Sequence, residues 1–290
     1  MKKLLIISGK GGTGKTTAAA AFIRFSGAKA FADCDVDAPN LHLVTPMTSQ
    51  PLRSIYYGAG KSRIDPDKCI GCGKCAQTCR FSAIEREGGA YRVNEYACEG
   101  CGVCALVCPA GAAALTDDAA GDLSLYREDR VFSTAELKMG RGSSGKLVSA
   151  VKAALMKAAP EAELAIIDGS PGIGCPVIAS VSGVDMALIV TEPSLSGLSD
   201  LKRLLKTVAA FQTRAAVCVN RFDISPAHTR LIEEYCAQTG VPFVGRISYD
   251  KAASAAINAG KSLADTDCAA GRALREIYEN TLKLLKEKTL

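Results

Sequence analysis

The sequence has no tryptophan, only 2 histidines, and aromatic residues at 6%. A histidine-rich metal site is excluded on that count, and the core must be built from Ala, Leu, Ile and Val. Long apolar runs are missing as well. The longest near the start, Leu4 to Ile7, falls far short of the roughly 18 residues of a membrane span. Lys2 and Lys3 precede it, but four apolar residues do not make a signal-peptide core and no small-residue cleavage site follows. The expected location is cytoplasmic, with no membrane partner. No dense Lys/Arg tract occurs, so nucleic acid is not an expected partner either. At 290 residues, 48% apolar and 22% charged, the chain can bury a sizeable core in one large domain or two ordinary ones.

What is abundant is cysteine. There are 13, and eight of them fall between residues 69 and 108. Use so local points to metal rather than to cross-links. CIGCGKCAQTC, from Cys69 to Cys79, recurs as CEGCGVCALVC, from Cys98 to Cys108. Each copy has the C-x2-C-x2-C-x3-C spacing of bacterial ferredoxins, in which the fourth Cys of each run ligates the other cluster. By that rule Cys69, Cys72, Cys75 and Cys108 hold one 4Fe–4S cluster, and Cys98, Cys101, Cys104 and Cys79 hold the second. Pro109 follows the second run as in that pattern, whereas Arg80 replaces the first Pro and puts a cation near a cluster. Zinc ribbons use pairs of C-x2-C rather than four Cys within eleven residues twice over, so zinc is the weaker reading. The formal charge of +5 counts every thiol as neutral. Two clusters at about −2 each would bring the holoprotein near +1.

Around this Cys-rich stretch, strand-like and helix-like segments alternate. Lys3–Ser8, Lys29–Ala32, Glu163–Asp168, Met186–Thr191 and Ala215–Asn220 read as buried strands. Lys15–Phe25, Gly145–Ala159, Leu198–Phe211 and Pro226–Gln238 read as helices. That alternation predicts an α/β fold, a mostly parallel sheet with helices on both faces. The Cys-rich α+β module, residues 60–115, is an insertion into a host domain formed by 1–59 and 116–290. Near the C-terminus, Cys268–Lys288 reads as an amphipathic helix with Leu274, Ile277, Tyr278, Thr281 and Leu285 on one stripe. Its charges are mixed rather than strongly basic, which favours core packing over a membrane surface.

Gly9 to Thr16, GKGGTGKT, fits G-x4-G-K-[ST] between a strand and a helix. Its glycines let backbone N–H groups converge on phosphate oxygens. Gly11, Gly12, Thr13, Gly14, Lys15, Thr16 and Thr17 are the candidate phosphate-binding residues. Lys15 reaches the β- and γ-phosphates and the Thr16 hydroxyl holds Mg²⁺.

Lys10, early in this loop, resembles the second lysine of the deviant Walker A in the MinD/Mrp/ParA and nitrogenase-iron-protein group of ATPases. AFADCDVDAPNL, IIDGSPGIG, VTEP and CVNRFD also match positions of that group, and they span the chain outside the insert. The resemblance implies an ATP-hydrolysing dimer in which Lys10 reaches the partner's nucleotide. It further implies Asp35 beside the attacking water, with Asp33 and Asp37 less defined. Asp168 becomes the Walker B carboxylate on Mg²⁺, the Gly172 N–H a γ-phosphate sensor, and Asn220 an adenine contact. NRFD also faintly resembles the guanine-reading N-K-x-D string, but the deviant loop favours ATP. Cys175, seven residues after Asp168, stands where the nitrogenase iron protein has a cluster ligand. Its upstream companion is absent from KMGRGSSGK, and both a ligand and a packing or switch role stay open. Cys34 is open in the same way, while Cys218, Cys236 and Cys268 read as small buried hydrophobes.

The whole chain resembles MinD-superfamily ATPases containing an inserted ferredoxin domain, a family linked with metal-cofactor and iron–sulfur assembly and often acting as paired homologues. The implied function is a dimeric ATP switch, homodimeric or paired with a close homologue, that gates electron transfer to a redox or metallocofactor-assembly protein. Two alternatives remain: an Mrp-type cluster carrier or scaffold, and a MinD-like positioning ATPase with a redox sensor.

Overall fold

A computed structural model describes residues 1–287. The host fold opens with β1 (Lys2–Ser8), α1 (Lys15–Ser26) and β2 (Ala30–Asp33), then leaves along β3 (Leu52–Tyr57). The Cys-rich stretch holds β4 (Lys61–Ile64), α2 (Lys74–Thr78), β5 (Ile84–Glu87), β6 (Ala90–Val93), α3 (Val103–Val107) and β7 (Ala113–Thr116). The chain returns along β8 (Ala119–Arg127) and β9 (Val131–Leu137) to α4 (Ser144–Ala158), β10 (Leu164–Pro171) and α5 (Cys175–Val181). It finishes with β11 (Met186–Thr191), α6 (Leu195–Ala210), β12 (Arg214–Asn220), α7 (Pro226–Thr239), β13 (Phe243–Ile247), α8 (Lys251–Asn258) and α9 (Ala269–Lys286).

Nine strands form one sheet in the order β13-β12-β11-β1-β10-β2-β9-β8-β3. From β13 to β9 every pairing is parallel, and β8 and β3 add an antiparallel edge. β1 shows why the centre reads as an unbroken apolar run. Leu4 and Ile6 face one core with Phe22, Leu274 and Ile277, while Leu5 and Ile7 face the other with Leu147, Val177 and Leu201. A strand covered by helices on both faces has no side left for polar residues.

α1 ends at Ser26 because Gly27 follows at φ 60 and its N–H donates to the Arg24 and Ile23 carbonyls. α9 buries Leu274, Ile277, Thr281 and Leu285, and Tyr278 sits edge-on to Phe22 with ring centroids 5.1 Å apart. Its apolar stripe is thus spent on the protein's own core. Among the described residues, no helix is long and apolar enough to cross a membrane.

The Cys-rich stretch makes two small antiparallel ladders, β4 with β7 and β5 with β6. The sequence repeat is also a backbone repeat. Gly73 (φ 77, ψ −4) precedes α2 and Gly102 (φ 78, ψ −6) precedes α3. The residues that close these helices, Cys79 (φ −74, ψ 107) and Cys108 (φ −78, ψ 108), match as closely.

Candidate functional site

The glycine-rich loop runs between β1 and α1. Gly14 takes φ +91, and a Cβ there would stand 2.5 Å from Asn220 Nδ2, so both conformation and space call for glycine. Asn220, at the end of β12, donates from Nδ2 to the Thr13 carbonyl at 2.8 Å and accepts the Arg221 N–H on Oδ1 at 2.9 Å. The residue singled out as an adenine contact therefore braces the loop from below. Gly14, Thr17, Asn220, Arg221 and Tyr249 line a small cavity beside it. Asp223 of the NRFD string accepts the Tyr249 N–H at 2.8 Å.

Lys15 is 5% exposed. Its Nζ lies 2.7 Å from Asp168 Oδ1, 3.3 Å from Thr16 Oγ1 and 3.6 Å from Asp35 Oδ2. Burial works against its charge, but Asp168, Asp35 and Asp33 outweigh burial and hold the ammonium above the usual lysine range. Asp168 is wholly buried within β10, and its Oδ2 has no hydrogen-bond partner. An orphaned carboxylate oxygen and the Thr16 hydroxyl, on residues that both contact Lys15 Nζ, are oxygen donors of the kind a phosphate-bound Mg²⁺ takes. The residues present thus fit that ion.

Asp33 is built into the backbone rather than aimed at a ligand. Oδ1 accepts the Asp35 N–H at 3.0 Å, and Oδ2 accepts the Asn40 and Leu41 N–H groups at 2.9 Å each. Burial and the charge of Asp168 push its pKa up to about 7. Asp35 is also raised, by burial first, against the pull of Lys15. Asp37 is exposed.

A stability slope follows from Asp33. Its folded pKa of about 7 lies above the ordinary 3.8, so the native state keeps a proton that the unfolded chain releases. The stabilisation is complete below about pH 4 and disappears as pH rises through about 7. The nucleotide-free protein should be less stable near pH 7.5 than near pH 5.5, and Asp33→Asn should flatten that slope. Denaturant titrations at both pH values check it, and an unchanged slope in the variant assigns the proton elsewhere.

The Gly172 N–H donates to the Ser8 carbonyl at 2.9 Å in this state, with φ +96. A γ-phosphate would have to compete for it. Lys10 Nζ is 3.1 Å from Glu192 Oε2 of the same chain, and Arg221 holds the other oxygen at 2.8 Å. Sequence reasoning missed Glu192 as a partner, although VTEP was in view, because the pairing arises only where β11, β12 and the loop converge.

Cys69, Cys72, Cys75 and Cys108 line one cavity of the Cys-rich stretch, and Cys79, Cys98, Cys101 and Cys104 line a second. Each combines three thiols of one run with the fourth of the other. Sulfur acceptors are served by nearby donors: Ser62 N–H to Cys98 Sγ at 3.5 Å, Ala83 N–H to Cys79 Sγ at 3.4 Å and Ala112 N–H to Cys108 Sγ at 3.2 Å. Among the described residues no three such groups converge on one ion-sized point. Four thiols spread around a cavity, with N–H donors to sulfur, are a donor set that fits a cluster larger than a single ion.

Of the other cysteines, Cys34, Cys218, Cys236 and Cys268 are buried and Cys175 is exposed at the start of α5. Burial drives the Cys34 thiol well above its ordinary value, pushes Cys218 up to about 12 and Cys236 up to about 11. These three are inert core residues in this state.

A strand–glycine loop–helix unit, a buried lysine and a Walker-type carboxylate on a parallel sheet define a P-loop nucleoside-triphosphatase fold. The chain belongs to the CobQ/CobB/MinD/ParA nucleotide binding domain family, whose model matches residues 4–263. It is 36% identical over 227 residues to the uncharacterized protein MJ0578 of Methanocaldococcus jannaschii, covering 76% of this chain and 78% of that one. It is 28% identical over 260 residues to MJ0579 of the same organism, covering 81% and 91%. A 38-residue stretch, 13% of this chain, is 47% identical to a ferredoxin of Mycobacterium tuberculosis, covering 33% of it.

Among solved structures, the septum site-determining protein MinD of Pyrococcus horikoshii, complexed with Mg-ADP, shares the fold with TM-score 0.59 at 17% identity. The match covers 98% of this chain and 97% of that one. A Cyanothece McdA–ATP complex gives 0.59 at 19%, covering 100% and 98%.

Proposed function

We propose that the chain is an ATP-hydrolysing switch whose nucleotide state gates electron transfer through two 4Fe–4S clusters, serving a redox or metallocofactor-assembly partner. One observation carries the reading: a single chain joins a pocket organised around Lys15, Asp35 and Asp168 to two cavities of four thiols each. The Mg-ADP and ATP complexes of the MinD and McdA neighbours support ATP as the nucleotide.

In this reading residues 1–59 and 116–290 form the ATPase and 60–115 the ferredoxin module. Gly11 to Thr17 cradle the phosphates, Thr16 and Asp168 hold Mg²⁺, and Asp35 orients the attacking water. Gly172 senses the γ-phosphate after releasing Ser8, and Asn220 positions the loop against the base. The clusters, held by the two thiol quartets, supply one-electron chemistry. The active species is a dimer with a second copy or with a close homologue, as the similarity to both MJ0578 and MJ0579 suggests. Lys10 then exchanges Glu192 for the partner's nucleotide.

Anaerobic preparations should contain about eight iron and eight acid-labile sulfide per chain, with the broad absorbance of such clusters, and should hydrolyse Mg-ATP slowly. Cys69→Ala and Cys98→Ala should each disturb one cluster and leave nucleotide binding intact. One zinc per chain without sulfide would overturn the cluster reading. A cargo reading has one observation in its favour, the exposure of Cys72 and Cys101, one in each quartet. Iron that passes to an apo-acceptor on ATP addition would select it.

A further inference from the structure

The loop between β9 and α4 joins two residues that touch the segments of the nucleotide pocket, and it touches the Cys-rich stretch itself. On the pocket side, the Leu137 N–H donates to the carbonyl of Val36, next to Asp35, at 2.8 Å. At the other end Gly145 lies against the backbone of Cys175, where a Cβ would stand 3.1 Å from the Cys175 carbonyl oxygen. Cys175 follows directly on the Asp168–Gly174 segment. α4 and α5 are further tied by Lys152, whose ammonium donates to the Ala179 and Ser180 carbonyls at 2.9 and 2.8 Å.

On the insert side, Arg141 is the contact. Nη2 donates to Glu95 Oε2 at 2.8 Å, Nε lies 3.4 Å from Asp118 Oδ1, and the guanidinium carbon is 5.7 Å from the Tyr96 ring centre. Gly140, at φ +72, presses on the same ring, where a Cβ would come within 2.7 Å. Glu95 and Tyr96 belong to a tight turn that Asn94 closes: its side chain accepts the Tyr96 N–H at 3.0 Å and its carbonyl accepts the Cys98 N–H at 3.0 Å. Arg141 is thus bonded to a turn whose backbone hydrogen bonds include that of Cys98.

We infer that Arg141 is the positioning residue through which the nucleotide pocket acts on the insert, by holding the 94–98 turn to the 138–143 loop. The inference rests on the proposed reading of the pocket, and a guanidinium that bridges exposed Glu95 and buried Asp118 through two different nitrogens is a contact that lysine does not reproduce in full. Leu137 and Gly145, on either side of the loop, abut Val36 and Cys175 on separate segments, so a ligand that draws both toward Lys15 displaces both ends of one short connection.

Hydrogen exchange of the cluster-loaded full chain, kept anaerobic, tests this with the non-hydrolysable analogue AMPPNP and Mg²⁺ as probe. In the unaltered protein, AMPPNP should change exchange within 94–98 by about fivefold or more, the low end of usual coupling between sites. In Arg141→Ala that nucleotide-linked change should fall below about twofold, with AMPPNP affinity unchanged and Arg141→Lys intermediate. Glu95→Gln, on an exposed carboxylate, should reproduce the loss and add little to Arg141→Ala. A merely structural contact would alter exchange equally with and without AMPPNP. A nucleotide-linked change that survives in Arg141→Ala, or none in the unaltered protein despite AMPPNP binding, overturns the inference. Failure of the unaltered protein to bind AMPPNP would strike the nucleotide reading itself.

Discussion

Asp35→Ala should bind Mg-ATP with the affinity of the unaltered protein and hydrolyse it about 10²–10⁴-fold more slowly, the usual contribution of a positioned proton acceptor. The geometry explains both halves. Asp35 touches Lys15 only at 3.6 Å, while Asp168 holds the ammonium at 2.7 Å, so phosphate binding survives the loss. The backbone of Asp35 is fixed by Asp33, which leaves its half-buried carboxylate aimed at the space before Lys15. Burial raises its pKa, which makes it a better proton acceptor than a solvated carboxylate. A native rate in the variant would remove Asp35 from the reaction. The same variant reports on Lys10. Mixed with Lys10→Ala, it should form active hybrids if one site keeps its own Asp35 and receives Lys10 from the other subunit. Hybrids that light scattering detects but that stay inactive would refute action across the interface.

Lys15→Ala should abolish measurable Mg-ATP binding and also destabilise the nucleotide-free protein by about 3–5 kcal/mol, the range for removing one partner of a buried ion pair. Asp168 is wholly buried, with Lys15 as its cation. Without that cation, Asp168 and Asp33 repel each other in a dry site. Protonation relieves the repulsion, and Asp33 is already poised at about 7. The deficit should therefore shrink as pH falls from about 8 to about 6. Millimolar Mg²⁺ should recover part of it, since the ion supplies the missing charge. Paired melts of the two proteins across that range measure it, and a pH-independent deficit would show that lost packing, not charge, dominates.

The parts of this fold that were legible in the sequence are those with local causes. β11 runs Met186–Thr191 as its apolar run predicts, and α1 stops where Gly27 permits a left-handed residue. β3 escaped because it is an edge strand exposed on both faces, so LRSIYY shows neither alternation nor a buried run. β9 escaped because Ser133 and Thr134 interrupt its apolar pattern. Ser133 is tolerated there because its hydroxyl reaches the Val151 carbonyl at 2.9 Å. The same divide runs through the site. Gly14, Lys15 and Asp168 carry their roles in a motif, whereas the partners of Asn220, Gly172 and Lys10 come from distant segments. Arg141 lay in a stretch notable only for a cysteine it lacks.

The antiparallel edge of the sheet has a further consequence. β3 and β8 pair from Leu52↔Leu125 to Tyr57↔Ala119, Gly58 continues to Asp118 at 3.0 Å, and β4 and β7 carry the ladder onward from Lys61↔Thr116. Residues 59–117 thus occupy the place of a hairpin turn. Chain-closure entropy grows only logarithmically, so exchanging a four-residue turn for roughly sixty flexible residues costs the host about 2 kcal/mol. Where the ladder of β4 with β7 is formed, it brings the two ends together and offsets that penalty. The seating of β3 at the edge of the sheet should therefore depend on how well residues 59–117 are themselves folded.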